Sequence, residues 1–148
     1  MYGGKIMGEN LTLEEVKRNT DPVSFCGHHC TYCFLAADCG GCRTDMNYCS
    51  YAGAFEDKKC PNVECCREKG IDGCYECDDL FLCKKGYYEN ENKNEYVAKA
   101  TALFIKKYGK ECYTAALKKA IDCGENYPKS FDEAGSVENA LVLLEKYL

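Results

Sequence analysis

Cysteine density constrains this chain more than any other feature. Fourteen of its 148 residues are cysteine, and twelve of those lie between positions 26 and 83. At that density cysteine replaces part of an apolar core with cross-links or metal. From 23 to 83 no apolar period of two or 3.6 is sustained, because glycine, aspartate and cysteine interrupt every few residues. The segment is therefore expected to be loops and short turns with one short helix near 62–69, held by something other than packing. The N-terminus, Met1 to Asn10, shows no apolar run of signal-peptide length. The expected compartment is then the cytoplasm, where disulfides rarely persist, and metal outranks disulfide as the cross-link.

Spacing sharpens this. Cys30/Cys33, Cys39/Cys42 and Cys74/Cys77 each enclose two residues. That spacing lets one tight turn aim two thiolates at one ion. Glycines at 40 and 41 suit such a turn. The candidate metal ligands are Cys26, Cys30, Cys33, Cys39, Cys42, Cys49, Cys60, Cys65, Cys66, Cys74, Cys77 and Cys83. Zinc is the expected ion. Twelve thiols suit three four-thiolate sites, and two sites with spare thiols are the alternative. Cys65 and Cys66 are adjacent, so their side chains are expected to diverge to different sites or to leave one free. His28 and His29 are read as exposed loop residues rather than ligands, since sulfur is abundant. Cys112 and Cys123 are read as small buried hydrophobes of a helix.

Outside this segment the signals are helical. Thr12, Glu15, Leu11 and Val16 form a capping box and staple for a short helix near 13–19. The stripe Val97, Thr101, Phe104, Tyr108 predicts a helix ending at Gly109. Tyr113, Ala116, Leu117, Ala120 and Ile121 predict a second, from 110 to 123. Tyr127-Pro128 is read as the start of a loop, and Ser136 as the cap of a third helix with the stripe Val137, Leu141, Leu144, Leu148. The expected fold is mainly α with little sheet: a metal-stabilised irregular module plus a bundle of about three short helices. The expected organisation is an N-terminal segment at 1–22, the cysteine module at 23–86, and a linker with the helical region at 87–148.

Several cysteine motifs occur in one order. They run Cys26-Gly27-His28-His29-Cys30-Thr31-Tyr32-Cys33, Cys39-Gly40-Gly41-Cys42-Arg43, Cys60-Pro61-Asn62-Val63-Glu64-Cys65-Cys66, Cys74-Tyr75-Glu76-Cys77 and Cys83. Together they resemble the uncharacterised prokaryotic family catalogued as domain of unknown function 3795. The resemblance covers about 23–84. It implies a small bacterial-type, cysteine-rich, metal-binding protein, and brings no activity with it. Before Cys83 the family often has an aromatic residue followed by proline, where this chain has Phe81-Leu82.

Three function classes compete. The first is a structural zinc module in an interaction or regulatory protein, its partner another protein. The second is an iron–sulfur carrier or sensor. Its Cys26-x3-Cys30-x2-Cys33 spacing lacks the alternating strands and helices of the radical enzymes that share it. The third is a thiol redox enzyme using Cys39 and Cys42, which no helix pattern follows. No catalytic constellation stands out, so a non-enzyme is expected, and no stretch approaches a membrane span. Nor is a nucleic acid an expected partner. Residues 1–83 carry −6 and residues 84–148 only +1. Each zinc with four thiolates adds a formal −2, so three sites would take the module to about −12. No arginine follows Arg67. Titration of metal-loaded protein with duplex and single-stranded probes at low salt should therefore show no salt-sensitive binding. Tight binding that weakens steeply as salt rises would refute this.

Overall fold

The computed structural model describes residues 21–32, 60–85, 88 and 96–148. Within them the chain is helical. The first helix, α1 (Pro61–Lys69), starts with proline in its first turn, where the missing N–H costs nothing. It ends at Gly70, which takes the left-handed conformation at φ 68°. Two 3₁₀ turns follow, Cys74–Glu76 and Leu80–Leu82. Then come α2 (Val97–Tyr108), α3 (Lys110–Asp122), the one-turn α4 (Lys129–Asp132) and α5 (Val137–Glu145). The three predicted C-terminal helices are thus present; α2 and α3 end within a residue of expectation, whereas α5 ends at Glu145, short of the predicted stripe residue Leu148. Ser136 caps α5 as expected, its Oγ accepting from Asn139 N at 3.0 Å. The short helix expected at 13–19 lies outside the described residues.

A larger apolar core joins α2, α3 and α5 through Phe104, Tyr113, Leu117, Phe131 and Leu144, all buried. Each such side chain contributes about 1.5–3 kcal/mol by leaving water. Where a loop was expected after Tyr127-Pro128, the chain forms α4. That turn buries Phe131 and places Asp132 Oδ1 at 2.9 and 3.0 Å from the N–H groups of Tyr96 and Val97. A carboxylate from another helix therefore caps α2, which has no capping side chain of its own. The predicted stripe on α5 stops short, because Leu148 is exposed and Ala140 is buried instead.

Helix α2 departs most from a one-sided amphipathic reading. Its Val97, Ala100, Phe104 and Ile105 face the larger core, while Ala98 and Ala102 belong to a second cluster with Cys26, Cys60, Val63, Cys66, Cys74, Leu80 and Tyr88. It is buried on both sides. The loop at 24–29 folds back through a bridge between Val23 and His29 and lies directly on α2. At Gly27, with φ +104°, an added Cβ would stand 2.8 Å from Ala102 N and 2.9 Å from Thr101 Oγ1. Small residues on both surfaces permit this approach.

Gly27→Ala should lower unfolding free energy by roughly 2–4 kcal/mol, from left-handed strain plus overpacking. Gly70→Ala also has positive φ but meets nothing within 4 Å, so it should cost only about 1 kcal/mol. Urea denaturation of the two variants would show the difference, and equal losses would contradict the close packing on α2.

Candidate metal centre

Four of the predicted ligands, Cys26, Cys60, Cys66 and Cys74, are buried in the second cluster. They come from separate elements. Cys26 sits in the loop held on α2, Cys60 at the N-terminal boundary of α1, Cys66 within α1, and Cys74 at the start of a 3₁₀ turn. Hydrogen bonds to backbone carbonyls tie these elements together. Cys74 N donates to Phe25 O at 2.7 Å, and Tyr88 Oη donates to Cys26 O at 2.9 Å.

The sulfurs of Cys66 and Cys74 are 3.6 Å apart. Asn62, itself buried, lies between thiols. Its Nδ2 donates to Cys74 Sγ at 3.7 Å and to Lys85 O at 3.2 Å, while its Oδ1 accepts from Cys60 Sγ at 3.7 Å. Ser24 Oγ is 3.3 Å from Cys26 Sγ. These contacts polarise the pair. The Cys74 thiol is drawn down to about 6, first by its hydrogen bond with Cys66, against the opposing effect of burial; Tyr88, Asn62 and the Lys69 charge add to the lowering. The Cys66 thiol is pushed far up, first by that same hydrogen bond and then by burial. One proton thus stays on Cys66 while Cys74 collects donors, which is the charge state a metal-ligating sulfur needs.

Cys65 is less buried than its neighbour Cys66. With Cys77 and Cys83 it is half-exposed, and all three line a cleft of about 350 Å³ that also reaches Cys66 and Cys74. Cys30, also half-buried, stands in a separate turn, Cys30–Tyr32. Cys33, Cys39, Cys42 and Cys49 lie outside the described residues. Cys65, Cys66, Cys74, Cys77, Cys83, Cys112 and Cys123 are free thiols. Among the described residues no three cysteine, histidine or acidic side chains already converge on one point as a metal site.

Two residue readings change. The histidines are not exposed loop residues. His29 is 2 % exposed, with Nε2 3.2 Å from Thr114 Oγ1 and its ring against Tyr32 and Tyr113. Burial lowers both His28 and His29 to about 4. Tyr127 Oη holds them, accepting from His29 N at 2.9 Å and lying 3.2 Å from His28 Nδ1. Nor are the helix cysteines buried: Cys123 is exposed and Cys112 half-buried. Sequence reasoning also missed Asn62, Tyr88 and Lys99. Lys99, 5 % exposed, donates to Cys83 O at 2.6 Å and Phe81 O at 3.3 Å and lies 5.0 Å over the Tyr88 ring. An asparagine two residues past a cysteine, at the start of a helix, was the one available signal.

Comparison with family models, with curated proteins and with solved structures finds no match for this chain. Among the described residues no helix is long and apolar enough to cross a membrane.

In reduced protein before metal addition, ultraviolet thiolate absorbance should show one group ionising near pH 6. Asn62→Leu should move that step upward and cost about 1–3 kcal/mol, because Lys85 O loses its partner. An unmoved step would show that Asn62 does not act on Cys74.

Proposed function

We propose that this chain is a metal-binding module in which Cys26, Cys60, Cys66 and Cys74 hold a structural zinc ion. One observation carries the reading: four thiols from separate elements share a single buried cluster, with one sulfur pair 3.6 Å apart. Two sulfurs on a tetrahedral zinc, each bonded at about 2.3 Å, lie about 3.8 Å apart. Cys66 and Cys74 already stand at nearly that spacing. Bound zinc would supply a cross-link between the loop, α1 and the 3₁₀ turns, replacing the apolar core this half of the chain lacks. Asn62 and Tyr88 would orient its sulfurs as hydrogen-bonding neighbours. A site closed by four sulfurs has no position for chemistry, so the module acts through its surface in an interaction or regulatory role. The adjacent Phe81 and Leu82, 71 % and 79 % exposed, support a protein partner. A zinc–thiolate module calls for a reducing compartment, the cytoplasm by default.

Protein purified without oxygen should be colourless and carry roughly two or three zinc ions per chain. A Cys60→Ser/Cys74→Ser variant should lose one of them. A strong chelator should unfold the cysteine module and lower Tm while leaving part of the helical signal from α3 and α5. Brown protein with iron and acid-labile sulfide would replace this reading with the iron–sulfur one. Metal-free protein with every thiol paired would refute both.

A further inference from the structure

Cys66 Sγ and Cys74 Sγ stand 3.6 Å apart, near the roughly 3–3.5 Å at which two reacting atoms are poised for attack. The backbone at each sulfur is held. Cys66 lies in α1, where its carbonyl accepts from Ile71 N at 3.1 Å. Cys74 opens a 3₁₀ turn, and its N–H donates to Phe25 O at 2.7 Å. Both are free thiols. Cys66 is 1 % exposed and Cys74 8 %, yet both line the cleft of about 350 Å³. The half-exposed Cys65, Cys77 and Cys83 share that lining, so the cleft joins the pair to solvent. Its volume is roughly ten times the share of one water molecule in the liquid. A small hydroperoxide fits within it.

We propose that Cys66 and Cys74 are a redox-active dithiol, which a small hydroperoxide entering the cleft oxidises to a disulfide. The sulfur geometry carries the disulfide; its effect on metal rests on the zinc reading above. Cys74, the more exposed of the two, reacts first. Its sulfur attacks one peroxide oxygen, the O–O bond breaks, and the departing hydroxide takes up the thiol proton as water. Cys74 is then a sulfenic acid. Cys66 sulfur, already in contact, attacks the Cys74 sulfur. The S–O bond breaks, and hydroxide leaves with the Cys66 proton as a second water. Two thiols and one hydrogen peroxide thus give one disulfide and two waters; each sulfur loses one electron and each peroxide oxygen gains one. The contact favours this second step over further oxidation of the sulfenic acid, because the resolving thiol needs no encounter from solution. Thiolates bind zinc, and a disulfide offers none. Oxidation therefore removes two of the four sulfurs assigned to the buried ion and leaves Cys26 and Cys60, too few to hold it closed. Peroxide would then release the metal, and a reducing thiol would restore the site.

The test uses the full chain as purified without oxygen, treated with one equivalent of hydrogen peroxide. Remaining thiols are then blocked with N-ethylmaleimide. Trypsin with a glutamate-specific protease cuts after Glu64, Arg67, Lys69 and Glu76, which parts Cys60 from Cys65-Cys66 and Cys74 from Cys77. The main cross-linked product in the mass spectrum should join peptides 65–67 and 70–76. Fragmentation between Cys65 and Cys66 should place the link on Cys66, and dithiothreitol should remove it. In urea the preference for this pair should disappear. Absence of the link, predominance of another, or an unchanged preference in urea would overturn the proposal. Zinc is scored separately with a chromophoric chelator too weak to strip the untreated chain. One zinc should leave for each Cys66–Cys74 link formed. A link that forms while every zinc stays bound would sink the buried-zinc reading and leave the redox pair standing. A chain that forms no such link, while Cys60→Ser/Cys74→Ser still loses one zinc, would sink the redox pair and leave the zinc reading standing.

Discussion

Helix α2 is buried against two clusters at once, and the arrangement of both halves of the chain follows from that. One side presents Phe104 and Ile105 to the helical core. The other presents Ala98 and Ala102 to the thiols. Alanine leaves the helix surface low enough for the Gly27 backbone to rest on it. The cysteine segment, with few large apolar side chains, borrows this surface as its floor. Lysines complete the join. Lys99 satisfies the carbonyls of Phe81 and Cys83, and Lys106 that of Cys77. Each ammonium covers backbone acceptors that a stretch without regular structure would leave unpaired. Lys110 extends the pattern from α3, meeting Asp21 and Asp72 at 2.6 Å each and so holding two loops against the helix start.

The sulfur electrostatics depend on the same burial. A buried thiolate is costly unless donors or a cation face it. Around Cys74 the donors are Cys66, Tyr88 and Asn62. They favour one negative sulfur in a largely buried place, and Cys66 holds its proton more tightly as a consequence. A divalent ion would remove that asymmetry by taking both sulfurs as thiolates. On the cleft side, solvent and lysine do part of this work. The buried and rim sulfurs therefore differ in accessibility more than in chemistry.

Much of the helical architecture was legible in the sequence. The stripes of α2, α3 and α5 repeat at helical spacing, and Gly109, Gly124 and Ser136 mark their ends. Such signals are local, because capping and periodicity involve residues a turn apart. Helix α4 was not legible. It is one turn long, too short for a periodic signal, and its value lies in a distant contact between Asp132 and the start of α2. The histidines were misjudged for a similar reason. A polar residue in a loop is exposed by default, and Tyr127 and Thr114, 98 and 85 positions away, provide the partners that let His29 go inside.

The candidate site divides along the same line. Cysteine number and spacing by themselves marked 26–83 as sulfur-rich and short of core. Those properties belong to composition and to backbone geometry over one or two residues. Only the tertiary structure decided which cysteines share an environment. Cys26, Cys60, Cys66 and Cys74 are brought together by the loop closing on α2 and by the bonds from Phe25 and Tyr88. The close-spaced pair Cys74/Cys77 differs in burial, since both line the cleft but Cys74 is buried and Cys77 half-exposed. Spacing specifies which thiols can reach one another locally; burial against α2 decides which of them water still reaches.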